Sequence, residues 1–388
     1  MRSVSVFGAT GSIGESTFDL LMHQGGPVRY RTVALTAGRN VARLAEQARA
    51  LKAELAVIAD ETLLPDLRAA LAGTPTECAA GDNAVAEAAE RPAEWIMSGI
   101  VGVAGLVPGL RALKHGATLA LANKESLVTA GPLLLAEAKR HGATILPVDS
   151  EHSAVFQALV GEDMSAVEHI TITASGGAFR DWPVERLGLA TVAEASCHPN
   201  WAMGQRITID SASMFNKAME LIETREFFGI EPEKIEVLLH PESLIHALVG
   251  FRDGGMIAHL GAPDMRHAIG YALNWPERVH LPVARLNLAE IGKLTFHAPD
   301  PARYPALRLA RDVMETGGLA GAAFNAAKEA ALDAFIAGRI GFTGMAEVVE
   351  RVLDRISATG GLGKPAGNLD MVLEMDGQAR RLAAGMTD

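Results

Sequence analysis

Asp149 and Glu151 stand one residue apart, and Glu220 lies far along the chain on a polar helical stripe. Three carboxylates that converge can hold a divalent cation. Oxygen donors with no CxxC pair or clustered histidines among them suit a hard ion, Mg²⁺ or Mn²⁺. A second kind of site opens the chain, where Gly8-Ala9-Thr10-Gly11-Ser12-Ile13-Gly14 follows the apolar run Val4–Phe7. Glycines between a strand and a helix let the backbone approach a pyrophosphate, and the helix start offers free N–H groups to anionic oxygens. The spacing is GxxGxxG rather than GxGxxG, so the placement carries more weight than the pattern. A dinucleotide loop together with metal-binding acids predicts metal-assisted chemistry coupled to hydride transfer.

The second strand ends Leu35-Thr36-Ala37-Gly38-Arg39-Asn40, without the acid that usually binds the ribose hydroxyls of NAD. Arg39 suits a 2′-phosphate, which predicts NADPH over NADH; its plain alternative is a solvated loop arginine. Asp149 and Glu151 point the same way in extended backbone, whereas a helix start would make them a cap and a first-turn acid. A single helix is predicted over 207–228, with Met214, Ala218, Leu221 and Ile222 on one face. Asn216, Lys217 and Glu220 fall within about 100° on the other, a pattern that by itself reads as a solvated face with a Lys–Glu pair. Ser211 follows a capping Asp210 near the predicted helix start, a place that favours an anion. Asn123-Lys124-Glu125 follows a strand at the ligand edge, and Ala174-Ser175-Gly176-Gly177 suits a backbone concavity for phosphate. Cys197–Gly204, with Pro199 and Trp201, reads as a flap that covers a ligand.

These groups need a scaffold of more than one core, since the chain has 388 residues. With 35 basic and 46 acidic residues the net charge is −11, and no basic stripe appears, so a nucleic-acid surface is not expected. Cys78 and Cys197 are far apart, which fits a reducing, cytoplasmic setting. The N-terminus shows no charged segment leading into a long apolar one, so no signal peptide is expected. The most apolar stretch, Trp95 to Leu110, is interrupted by glycines, a serine and a proline, so no membrane span is expected either. Up to residue 149 apolar strands alternate with helical periodicity, which predicts an α/β doubly wound, Rossmann-like NADPH domain over 1–149. Consecutive strand signals predict a central α+β catalytic domain over 150–275. A Pro-rich linker spans 276–303, and alanine-rich periodicity gives a C-terminal helical bundle over 304–388.

Together these stretches resemble the 1-deoxy-D-xylulose 5-phosphate reductoisomerases of the non-mevalonate isoprenoid pathway. The resemblance runs through GATGSIG (8–14), ANKESL (122–127), PVDSEHS (147–153), ASGG (174–177), HPNWAMG (198–204), DSASMFNKAME (210–220), HPESLIH (240–246) and GAPDM (261–265). APDPARYP (298–305) and FNAAKE (324–329) extend it into the helical tail. It implies that Asp149, Glu151 and Glu220 bind Mg²⁺ or Mn²⁺. Thr10, Gly11, Ser12, Ile13, Gly38, Arg39, Asn40, Asn123, Glu125 and Gly204 would line the NADPH site. Lys124, Ser150, Glu151, Ser175, His198, Ser211, Asn216, Lys217 and Glu220 would hold a phosphorylated ketose. Within that set Ser175, Ser211, Asn216 and Lys217 form the phosphate pocket, and Trp201 and Met203 close over it. Lys124 and His198 would join the acids in catalysis, and the assembly would be a homodimer. The implied reaction rearranges the carbon skeleton of 1-deoxy-D-xylulose 5-phosphate by retro-aldol and aldol steps. Hydride from NADPH then gives 2-C-methyl-D-erythritol 4-phosphate. Arg39 stands where many relatives have lysine, and Lys328 replaces an asparagine common in the tail motif, away from the predicted chemistry. The rival readings are another NADP-dependent dehydrogenase, of semialdehyde or homoserine type, and a non-catalytic NADPH sensor on the same fold.

Overall fold

The computed structural model describes residues 1–201 and 204–387. Two compact units are present, and the first comprises Met1–Ser126, Leu134–Ser153 and Asp264–Ala284. Its sheet has seven parallel strands: β1 (Arg2–Phe7), β2 (Tyr30–Ala37), β3 (Leu55–Ile58), β4 (Glu77–Ala80), β5 (Trp95–Ser98), β6 (Thr118–Leu121) and β7 (Thr144–Pro147). The spatial order β4-β3-β2-β1-β5-β6-β7 reverses at β1, the doubly wound arrangement in which ligands gather beyond the strand ends at the reversal. Strands such as Leu55–Ile58 and Trp95–Ser98 are buried throughout, as a sheet covered on both faces requires.

Two features of this unit differ from the sequence expectation. The edge strand β4 went unseen because Glu-Cys-Ala-Ala is short, half-exposed and poor in β-branched residues. The helix Arg266–Asn274 packs in this unit against β6, β7 and the helix Ser12–His23. Trp95 Nε1 donates to the Ala272 carbonyl at 3.0 Å and the Arg2 guanidinium donates to the Leu273 carbonyl, which fixes the C-terminal turn of that helix.

The second unit comprises Leu127–Leu133, Ala154–Pro263 and Arg285–Asp388. Its mixed sheet runs β11-β10-β8-β9, from β8 (Val167–Ala174), β9 (Ile235–Leu239), β10 (Ile245–Phe251) and β11 (Met256–Leu260). Only β8 and β9 pair in parallel. The tail forms the helices Pro305–Thr316, Ala320–Ile336, Gly344–Ser357 and Leu369–Thr387. Ala320–Ile336 is the central one, and its alanines let neighbouring helices close in.

The helix expected over 207–228 is two helices, Gln205–Ala212 and Phe215–Phe228. They are separated at Met214, whose φ of 65° is left-handed. No glycine or proline marks the break, so sequence pattern passed over it.

Candidate active site

In the first unit the glycine loop leaves β1 and enters the helix Ser12–His23 with Gly11 at the N-cap and no side chain capping it. The first N–H groups of that helix are therefore open to an anion. A Cβ on Gly14 would lie 2.3 Å from the carbonyl oxygens of Gly8 and Ala9, so only glycine closes this turn. Thr10 and Ile13 are half-buried while Gly11 and Ser12 are exposed at the loop tip. Beyond β2, Gly38, Arg39 and Asn40 are all exposed. Asn40 caps the next helix by accepting from the Arg43 N–H at 3.2 Å. Arg39 pairs with Asp60 at 2.9 Å, but its side chain is 79% exposed and can turn to a second anion at little cost.

Asn123 is buried, and its side chain serves the scaffold. Its Oδ1 accepts from the Ser126 N–H, and its Nδ2 donates to the carbonyls of Ile100 and Gly102 and to Glu125. Lys124 Nζ meets an Asp149 carboxylate oxygen at 2.5 Å, both side chains being mostly buried. Asp149 stands at a helix start rather than within a strand. Its carbonyl accepts from the Ser153 N–H at 2.8 Å, and the helix Ser150–Ala158 begins right after it. The reading of Asp149 and Glu151 as strand-like i and i+2 neighbours is thereby corrected to a cap residue and a first-turn acid. Ser150 Oγ donates to Glu151 Oε2 at 2.7 Å, orienting that carboxylate.

In the second unit Glu220 is 1% exposed and Lys217 3% exposed, so the solvated-face reading of this helix is wrong. Burial is supported by pairing: Lys217 Nζ donates to Glu220 Oε2 at 2.5 Å and Asn216 Nδ2 donates to Oε1 at 2.6 Å. Both oxygens of a buried anion are thus held by charge-assisted or amide donors, each bond to a charge contributing about 1.5–3 kcal/mol.

The Ala174–Gly177 turn lies against the end of the helix Gln205–Ala212. A Cβ on Gly177, whose φ is +69°, would sit 2.5 Å from the Ala212 Cα and 2.7 Å from the Ser211 carbonyl oxygen. Arg180 donates to the Ser175 carbonyl at 2.9 Å and Tyr304 to the Gly176 carbonyl at 3.0 Å. Sequence reading assigned neither residue, although Tyr304 lies inside the APDPARYP stretch. Burial pushes the Tyr304 phenol up to about 12, which keeps it a neutral donor.

His198 Nδ1 accepts the backbone N–H groups of Asn200 and Trp201 at 3.1 and 2.9 Å. Its ring proton therefore sits on Nε2, 3.0 Å from Ser175 Oγ. That Oγ also accepts from the Gly177 N–H at 3.1 Å. With both lone pairs used, the Ser175 hydroxyl proton is left to donate to an anion. Burial lowers the His198 pKa below its ordinary 6.5, in keeping with a neutral ring. Trp201 stacks edge-on toward His246, with ring centroids 6.3 Å apart. Gly204, at the head of Gln205–Ala212, is exposed, and Met203 lies outside the described residues.

Three family models match the chain. They are 1-deoxy-D-xylulose 5-phosphate reductoisomerase over residues 4–131, its C-terminal domain over 145–228, and the DXP reductoisomerase C-terminal domain over 260–382. The 1-deoxy-D-xylulose 5-phosphate reductoisomerase of Cereibacter sphaeroides is 70% identical, over 99% of this chain and 97% of its own length. The chain belongs to the 1-deoxy-D-xylulose 5-phosphate reductoisomerase family. The Jannaschia member is 66% identical over the same shares. A solved family member from Zymomonas mobilis in complex with NADPH superimposes with a TM-score of 0.93 at 45% identity, covering 100% of this chain and 99% of that one. A DOX-P reductoisomerase in complex with NADPH, fosmidomycin and magnesium gives 0.94 at 38% identity, covering 99% and 98%. Family membership makes the chain an oxidoreductase on the fold described above. Among the described residues no helix is long and apolar enough to cross a membrane.

Proposed function

We infer that this chain converts 1-deoxy-D-xylulose 5-phosphate to 2-C-methyl-D-erythritol 4-phosphate, with NADPH and a divalent cation, in non-mevalonate isoprenoid biosynthesis. One observation carries the reading: the family match extends over 99% of the chain at 70% identity. The donor chemistry fits a hard cation, since Asp149, Glu151 and Glu220 offer carboxylate oxygens only, and Glu151 and Glu220 are each held by an oriented donor. We assign all three as its ligands. When bound, the cation supplies Lewis-acid polarisation of the substrate's ketone and hydroxyl oxygens and NADPH supplies the hydride.

The residues of the chain do the rest. The Thr10–Ile13 backbone receives the pyrophosphate, and Gly38, Arg39 and Asn40 take the adenosine end with its 2′-phosphate. Asn123, Glu125 and Gly204 border the nicotinamide half, with Asn123 acting by holding the 100–102 loop. Lys124, paired with Asp149, carries a proton beside the reacting oxygens. Ser175, Ser211, Asn216 and Lys217 grip the phosphate. Their binding energy closes the flap of His198, Trp201 and Met203 over the sugar and excludes water. Ser150 fixes Glu151 and reaches the substrate hydroxyls. The unit of Met1–Ser126, Leu134–Ser153 and Asp264–Ala284 serves NADPH and supplies Asp149 and Glu151, the unit of Leu127–Leu133, Ala154–Pro263 and Arg285–Asp388 supplies Glu220 and the phosphate pocket, and its tail helices brace that pocket. The working unit is a cytoplasmic homodimer.

The test follows NADPH absorbance with 1-deoxy-D-xylulose 5-phosphate, with Mg²⁺ or Mn²⁺ and after EDTA. Oxidation that needs both the ketose phosphate and the metal supports the reading. Oxidation that survives EDTA points to an ordinary NADP-dependent dehydrogenase, and NADPH binding without any oxidation points to a sensor.

A further inference from the structure

We propose that Lys328 is a positioning residue of the phosphate pocket, acting through Asp210 to hold the Ser211 hydroxyl where a phosphate is received. The proposal rests on the assignment of Ser211 as a phosphate donor given above.

Lys328 lies on Ala320–Ile336, among buried alanines, and is itself 4% exposed. A lysine there strands a charge unless an acid meets it. Its Nζ donates to Asp210 Oδ2 at 2.8 Å, and Asp210 is 6% exposed. Asp210 immediately precedes Ser211, so Lys328 is not remote from the predicted chemistry, as sequence alone suggested. One turn before Lys328, on the same face, Asn325 is fully buried, and neither end of its amide has a protein partner. The other Asp210 oxygen also lacks one. The ion pair therefore sits on a helix whose buried residues are otherwise mostly alanine.

A second tie runs beside it, from Arg206 to Asp333, on the same two helices. Arg206 and Asp210 are one turn apart, so Gln205–Ala212 is fastened to Ala320–Ile336 along one face. A helix of eight residues does not hold its own position. On its other side the Gly177 backbone presses on Ser211 and Ala212 with no slack. Ser211 is thus clamped between a glycine turn and a buried ion pair. Met214, three residues on, donates its N–H to the Ser211 carbonyl at 3.2 Å and caps the helix that carries Asn216 and Lys217. Buried ion pairs seldom stabilise more than the apolar residues that fill the same volume. Among so many alanines an apolar side chain was available, and orientation of the Ser211 turn accounts for the lysine.

The experiment uses the full-length protein with Lys328→Met and the charge-neutral pair Asp210→Asn/Lys328→Met. Read out are the Ki of inorganic phosphate as a competitor of the ketose phosphate, the KM for NADPH, and Tm. Expected is a rise of about tenfold in the phosphate Ki in both variants, with the NADPH KM unchanged. The neutral pair regains the Tm lost in Lys328→Met but not the phosphate affinity. A neutral pair with wild-type phosphate Ki overturns the proposal, because the pair then serves stability alone, and this holds even where Lys328→Met fails to fold. Ser211→Ala separates the two levels. If it leaves the phosphate Ki unchanged, the pocket assignment fails and takes the proposal with it. If it raises the Ki while the Lys328 variants do not, only the role of Lys328 falls.

Discussion

The cofactor edge of the first unit and the Asn216–Glu220 turn of the second solve opposite problems with opposite means. The glycine loop presents backbone: a helix start with Gly11 at the cap and no side-chain cap hydrogen bond, and beyond β2 an arginine whose side chain is 79% exposed. The Glu220 turn presents side chains, with the Lys217 and Glu220 charges paired and buried. A shared cofactor, which we propose this loop receives, is grasped and released each turnover, and an open, lightly committed site suits that. A carboxylate proposed to hold a catalytic ion has to be in place beforehand, and the Glu220 oxygens are oriented at the cost of burying charge.

Substitutions on the two sides should therefore fail differently, and the largest effect belongs to the buried side. Glu220→Gln should lower kcat by on the order of 10³-fold, about 4 kcal/mol of activation free energy. NADPH affinity by fluorescence titration should be unchanged, and a fully active variant removes the metal assignment. Gly14→Ala comes next. Its methyl would collide with two carbonyls, so we expect a loss of about 2 kcal/mol or more in stability together with weaker NADPH binding. Unaltered urea midpoint and NADPH Kd would show that the turn has other room. Arg39→Met should cost roughly tenfold in KM for NADPH and little for NADH, with Tm unmoved because the side chain is so exposed. Equal losses with both cofactors would end its role as a 2′-phosphate partner.

The smallest effect is electrostatic. Burial lowers the His198 pKa, so the folded state binds fewer protons than the unfolded one between that value and 6.5. Stability from this group is present above pH 6.5 and is lost as pH falls through the lowered value. NMR titration of the His198 ring should give a midpoint under 6.5. A midpoint above it would mean that the His198 ring is not buried in solution as it is in the structure.

The same contrast explains what sequence revealed. The parallel sheet was readable because β1, β2, β5 and β6 are apolar runs spaced by amphipathic helices, and the glycine loop because backbone chemistry demands glycine at Gly14. β4 escaped because an edge strand of alanines carries no period. Glu220 was found as a residue but misplaced in environment, since hydropathy pattern does not register that Asn216, Lys217 and Glu220 satisfy one another. The split of the 207–228 helix left no trace because a methionine occupies the left-handed position. The Arg180 and Tyr304 props of the Ser175 turn come from long-range packing, which no local window contains.

Met214 has a consequence for how this chain tolerates change. Each residue of a helix advances it by about 100°. Met214 sets where the helix Phe215–Phe228 starts, and adding or removing one residue between Phe215 and Glu220 would swing Glu220 round to another side of its cylinder while leaving every side chain chemically intact. The spacing from Ser211 to Glu220 thus behaves like the pitch of a thread: the residues that only fill it can be exchanged one for one, but their number cannot drift.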